Sequence, residues 1–449
     1  MAKKMLVSVV MLLCLVSVVF AQAEKEDAIV VTEDYVGNVN AEKVLTVAIN
    51  RDDTIRSPYE SRVAYIEEAA MKWAEAHPEW GIELKVLTPG QISQDMARLL
   101  TEAEQGVAPD FIHLDSFWVG NFLDAGLLQP IDPYITQADK DAFFDWTKGV
   151  TMRDGKQYAI WGETDARLLY YRKDLIDTPP RTWDDLIEAA LMVQDKYGIK
   201  GFLTPAGQSE SASNENTWAY FWAQGGEIFG ENSRPVLGEG ENRQKLINVY
   251  AFMKRLIDTG ASPKDIISMT GFDPIMSEVR ADNVGLIIQG TWAVSQINDI
   301  VEDADEKWDF VPYPQMDADT YANSNGGWTW AVLTEDKEKQ EVAMSYIMSM
   351  VGSKDAMAAR AKAFNYIPTR SDVFESDSYF SDDPIQQRFF EELKNGHARP
   401  ASSLYPTISG LNARMMGEVL IGNKTPAEAV DELQRLALVE WEEWLGTQN

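Results

Sequence analysis

The chain has 449 residues, 45% apolar and 25% charged, proportions ordinary for a soluble globular protein that rule out pervasive disorder. Acidic residues outnumber basic ones by 71 to 40, a formal charge of −31 that argues against a nucleic-acid or anionic-membrane surface, since both need a basic footprint. The single cysteine, Cys14, leaves no intrachain disulfide, and His77, His113 and His397 are too dispersed for a zinc centre.

In chain order, residues 1–23 read as an export signal. Lys3 and Lys4 form a positive start, residues 5–20 are almost unbroken apolar, and Ala21-Gln22-Ala23 supplies a small-x-small cleavage site. The apolar run is shorter than the roughly 20 residues a membrane-spanning helix needs; an uncleaved anchor is the lesser alternative. Leu13 precedes Cys14 where lipidation requires a small residue, so a non-lipidated protein in the periplasm or outside the cell is expected. Residues 24–43 read as a loose acidic lead-in.

A strand is predicted at 44–49 (VLTVAI). Ser57-Pro58-Tyr59-Glu60 reads as a capping box opening a helix whose stripe is Val63, Ile66, Ala70 and Trp73. Strand 82–86, helix 91–104, strand 111–114 and helix 117–125 follow. After the Asp154-Gly155 turn come strand 168–171, a helix capped by Thr182 and running to about Tyr197, and strands at 283–289 and 308–313. The C-terminal part reads as mainly helical, closing on a helix capped by Thr425 with Ala429, Leu433, Leu436 and Trp441 on one face. Such alternation predicts an α/β protein with largely parallel sheets, and the length leaves room for two lobes.

Gly-x-Ser-x-Gly, Walker-type, Gly-x-Gly-x-x-Gly and His-Glu-x-x-His patterns are all missing from the sequence, so neither a catalytic residue set nor a cofactor or metal is expected. Instead, acidic and indole side chains stand where strands end: Asp115 after FIHL, Glu163 and Asp165 before LLYY, Trp292 after LIIQG, and Trp328 after Gly326-Gly327. Ligands of open α/β sheets bind beyond the carboxyl ends of strands. An indole covers the C–H face of a sugar ring and a carboxylate accepts from its hydroxyls, which makes a neutral polyol the expected ligand. Taken singly, each Trp also fits core packing, and Asp115 also fits a helix cap.

The run APDFIHLDS (108–116) followed by FLDAGLLQPID (122–132) resembles extracellular solute-binding proteins of carbohydrate ABC importers, the maltose/trehalose-binding type. Matching segments follow in register: GKQYAIW (155–161), LYYRKDL (169–175), PRTWDDL (180–186), GLIIQGTWA (285–293), Gly326-Gly327, NYIPTR (365–370) and GNKTPAEA (422–429). The resemblance spans essentially the whole exported chain.

It implies two α/β lobes, each a mainly parallel sheet flanked by helices, with ligand in the cleft between them. The first lobe would be 44–160 plus 314–365 and the second 166–308 plus 371–449, with hinge crossings near 161–165, 309–313 and 366–370. Carried over by motif, the cleft residues are Asp115, Asp165, Trp292, Trp328 beside Gly327, and Arg370; Asn50, Asp52, Glu215 and Trp218 match by spacing only. Arg167 stands where relatives carry small or apolar residues, which points to a different sugar. The expected function is binding of a neutral di- or oligosaccharide by a monomer that delivers it to ABC importer permease subunits, without catalysis. Two alternatives stay open: a secreted glycosidase using Glu163 and Asp165 as its carboxylate pair, and a sugar-sensing component.

Overall fold

A computed structural model of the protein describes residues 29–394 and 396–447. The expected export signal, with Cys14, lies outside the described residues.

Two sheets organise the chain. The first begins with the hairpin β1 (Ile29–Val31) and β2 (Tyr35–Asn38), so the expected loose lead-in is ordered structure from residue 29 onward. Val36 is buried, and apolar alternation there was masked by the acidic residues around it. Next come β3 (Lys43–Ile49), β4 (Trp80–Val86) and β5 (Phe111–Asp115), joined by helices Glu60–Ala76 and Ile92–Glu104. Ser57 does not cap the first of these helices. It begins at Glu60 after an extended Tyr59 and has no side-chain cap.

A small hairpin, β6 (Met152–Arg153) with β7 (Lys156–Gln157), leads into β8 (Ala159–Asp165), which rejoins the first sheet. At Ala166 the chain crosses over. β9 (Arg167–Arg172), β10 (Lys200–Leu203), β11 (Val284–Gly290) and β12 (Trp308–Pro312) form the second sheet in the order β10-β11-β9-β12. The chain returns through β13 (Asn323–Val332), which lies between β5 and β8, and β14 (Ile367–Pro368), which pairs with β8. The short β15 (Gly396–Ala398) pairs with the start of β13. So β12 belongs to the second sheet, and β8 and β14 to the first.

Both sheets are mixed. β3 runs parallel to β4 and β5, and β10 to β11, as strands joined through helical crossovers do. The strands next to the crossings, β13 with β5 and β8 and β9 with β11 and β12, pair antiparallel, because a chain passing back and forth between two sheets enters each in alternating directions.

Local signals act as the sequence predicts elsewhere. Thr182 and Asp185 close a full capping box on helix Trp183–Tyr197, which ends in left-handed Gly198. Thr425 and Glu428 make the same reciprocal bonds before helix Pro426–Thr447. That helix and Tyr405–Leu420 pack with Gly240–Thr259 in one core, whereas Val373 and Phe380 pack into the other core with Trp73, Phe111 and Trp330. Among the described residues, no helix is long and apolar enough to cross a membrane.

Candidate functional site

The two sheets face each other across a cavity of about 450 Å³, within the range of small-molecule sites. Nine of the twelve sequence-predicted residues line it: Asn50, Asp52, Asp115, Asp165, Arg167, Glu215, Trp292, Gly327 and Trp328.

Each arrives by a local device. Asn50 follows β3, and its side chain accepts from the Asp52 N–H at 3.1 Å, starting the turn that carries Arg51 and Asp52 to the wall. Asp115 is the last residue of β5, where side chains leave the sheet for the cleft. Gly327 has φ +140°, and a Cβ there would collide with the Glu163 carbonyl oxygen and crowd the Trp161 indole nitrogen; this lets Trp328 follow at the cleft surface. Glu215 lies in a π-helical stretch, Asn214–Trp218, a distortion frequent at functional sites.

Three of the predicted residues lie elsewhere. Glu163 shares a strand face with Asp165 but sits one pleat deeper, beneath the cavity floor and only 1% exposed. There it accepts from Arg360 at 3.0 and 3.1 Å. Trp218 is fully buried and donates to the Tyr405 hydroxyl at 2.9 Å; the wide π turn directs it away from Glu215 into the core. Arg370 pairs with Asp139 and Asp372, both at 2.9 Å, and donates to the Gly352 carbonyl. None of these partners lines the cavity, and Tyr366, a little earlier in the same motif, reaches it instead.

The wall is built from paired charges. Arg167 binds Asp165 and Glu215 (2.7 Å) and lies 4.7 Å over the Trp292 ring. Arg399 binds Asp115, lies 3.6 Å from Glu210, and covers the Phe117 ring at 4.6 Å. Arg51 joins Asp52 (2.8 Å) to Asp273 (2.6 Å). Arg62 approaches Asp52 at 3.5 Å and is caged by Tyr59, Phe364 and Tyr366. Every guanidinium of the wall therefore faces a carboxylate before any ligand arrives.

Burial controls protonation here. It raises the carboxyl groups of Asp115 and Glu215 above their ordinary values, in spite of the arginine beside each. Glu210 is pushed up to about 7 by burial, which outweighs Arg399 and the hydroxyls of Ser409 and Tyr405. Below the floor, burial likewise raises Glu163 to about 7 and lowers His113 to about 4. For Asp53, burial is outweighed by Arg360 and His113, and its carboxyl is held low.

Trp328 is partly exposed to the cavity, with His113 tilted against it at 4.7 Å. Trp292 is more enclosed, 9% exposed, with Gly290 under the ring and Phe272 and Tyr366 at 5.8 and 5.9 Å. Sequence reasoning missed Arg51, Arg62, Glu210 and Arg399. Arg51 stands between two predicted residues and was legible; Glu210 and Arg399 lie in segments with no motif at all. Among the described residues, no cluster of His, Cys, Asp and Glu could hold a metal ion.

A two-sheet chain holding a polar, aromatic-lined cavity at its crossings has the architecture of a binding protein that encloses a small hydrophilic ligand. The model of the bacterial extracellular solute-binding protein family matches residues 68–387, and the chain belongs to that family. It is 23% identical over 332 residues to the maltotriose-binding protein of Pyrococcus abyssi, covering 70% of this chain and 66% of that one. To the arabinooligosaccharide-binding protein of Halalkalibacterium halodurans it is 24% identical over 344 residues, 74% of each chain. Maltose-bound MalE3 of T. maritima has the same fold, with a TM-score of 0.75, 22% identity, and coverage of 88% of this chain and 98% of that one.

Proposed function

We propose that the chain captures a neutral di- or oligosaccharide in its interlobe cavity and hands it, unaltered, to the permease subunits of an ABC-type importer. The observation that carries this reading is the cavity wall: Arg51, Arg167 and Arg399 are each ion-paired with carboxylates, beside the partly exposed Trp328 ring. Paired charges offer hydrogen bonds to hydroxyls and set a carboxylate beside each guanidinium that an anion would approach, and Trp328 offers a face to a sugar ring. The maltotriose- and arabinooligosaccharide-binding relatives support the same class of ligand. We assign contact roles to the nine lining residues named above, with Asp115, Asp165 and Trp328 at their centre.

Binding without turnover is also part of the proposal. A hydrolase using the Glu163–Asp165 pair would need Glu163 at the cavity, and Arg360 holds it beneath the floor. The protein acts as a monomer outside the cytoplasm, released by cleavage after Ala23 and not lipidated. A thermal-shift screen over mono-, di- and trisaccharides tests the reading. Saturation at 100 times the dissociation constant stabilises by about 2.7 kcal/mol, and the sugar should be recovered intact. Stabilisation by uronates or sugar phosphates alone would refute the neutral-sugar reading, and recovered fragments would refute binding without turnover.

A further inference from the structure

One end of the cavity is walled off by contacts between the lobes. Arg51, in the turn after β3, grips Asp273 with both terminal nitrogens, at 2.6 and 3.1 Å, and Asp273 opens helix Asp273–Arg280 of the other lobe. Beside this pair the loop after β4 meets the loop before that helix. A Cβ on Gly90 would stand 2.8 Å from the Thr270 hydroxyl, and one on Gly271 would stand 3.5 Å from the Gly90 Cα. Farther along the same seam, the Ser61 amide and hydroxyl both donate to Asp299, at 3.2 and 2.8 Å. Arg51, Gly90, Thr270 and Asp273 all line the cavity, so this seam is its wall and not a remote surface contact.

A saccharide lying along Trp328 and Trp292 toward this seam has no room to continue through it. A longer chain would have to hold the two loops apart and forfeit the Arg51–Asp273 and Ser61–Asp299 bonds, so closure itself discriminates against length. We propose that Arg51, Thr270 and Asp273 form an end-stop that sets the length of ligand accepted: the terminal sugar residue abuts the Arg51–Asp273 pair, and short saccharides bind in preference to long ones. This rests on the oligosaccharide reading above.

The test compares wild type, Asp273→Glu and the double variant Thr270→Gly with Asp273→Ala by calorimetry. The probes are the maltose-to-maltoheptaose series and the corresponding arabino-oligosaccharides, and ligand-free melting temperatures check folding. Wild type should bind the best di- or trisaccharide at least about tenfold more tightly than the heptasaccharide of its series. The double variant should narrow that gap to about threefold or less, and Asp273→Glu, which keeps the carboxylate, should preserve it. Equal wild-type affinity for short and long chains would overturn the end-stop while leaving the sugar reading intact. So would a double variant that weakens all lengths by one common factor. Failure of every probe in both series to bind would overturn the sugar reading and the end-stop together.

Discussion

Glu210 offers a quantitative check on the electrostatics of the cavity wall. Its side chain is 14% exposed, accepts from the Tyr405 hydroxyl at 2.6 Å and from Ser409, and sits 3.6 Å from Arg399. Burial raises its carboxyl from 4.5 to about 7 in the folded state. The folded protein thus keeps a proton that the unfolded chain loses first. Stability contributed by this group is full below about pH 4.5 and declines as pH rises to about 7. A shift of this size corresponds to a loss on the order of 3 kcal/mol across that window, an upper bound because water in the cavity screens the group.

Glu210→Gln removes the ionisation. The amide accepts only part of what the carboxylate accepted, at a cost of about 1–3 kcal/mol that does not vary with pH. The informative quantity is therefore the change in the mutational effect between pH 5 and pH 8. The variant should gain up to about 3 kcal/mol relative to wild type at the higher pH. Glu163 and His113 titrate equally in both proteins and cancel. Urea denaturation followed by tryptophan fluorescence at the two pH values measures it. A mutational effect equal at both, within about 0.5 kcal/mol, would refute the raised carboxyl.

Three further outcomes follow from named contacts. Trp328→Ala should weaken sugar binding by about 1–3 kcal/mol, by analogy with other aromatic stacking, and leave the melting temperature almost unchanged; Trp292→Ala, at an enclosed site, should cost about 3–5 kcal/mol of stability besides, and calorimetry paired with thermal melts separates the two. Arg360→Met strands Asp53 and Glu163 without their cation and should cost about 3–5 kcal/mol in urea titrations at pH 7; a loss below about 1 kcal/mol would mean that the two carboxyl groups simply take up protons. Saturating sugar should stabilise the arrangement in which Arg51 meets Asp273, so the radius of gyration by small-angle scattering should be smaller with ligand than without; an equal or larger value would remove hinge closure from the mechanism.

The sequence by itself determined the elements whose causes are local. Short apolar, β-branched or aromatic runs marked β3, β5, β9 and β11 to within a residue or so, and Thr182 and Thr425 fixed two helix starts because a cap needs only residues three apart. It also placed Asp115, Asp165 and Trp292 at the cavity, since strand ends open onto it and strand ends are legible in sequence; Trp328 reaches the cavity too, but from the middle of β13, beside the Gly326-Gly327 pair. Tertiary structure alone decided which charges stand together. Arg399 meets Asp115 across 284 residues of sequence, and Glu163 turns to Arg360 across 197. Nothing within a few residues of Glu163 distinguishes it from Asp165; the difference is one pleat of depth and a buried arginine waiting beneath. Likewise Trp218 reads like a cleft aromatic until the π turn beside Glu215 directs it inward to Tyr405. Local periodicity sets where a side chain leaves its own element, whereas its partner depends on how two sheets, built from interleaved stretches of one chain, close on each other.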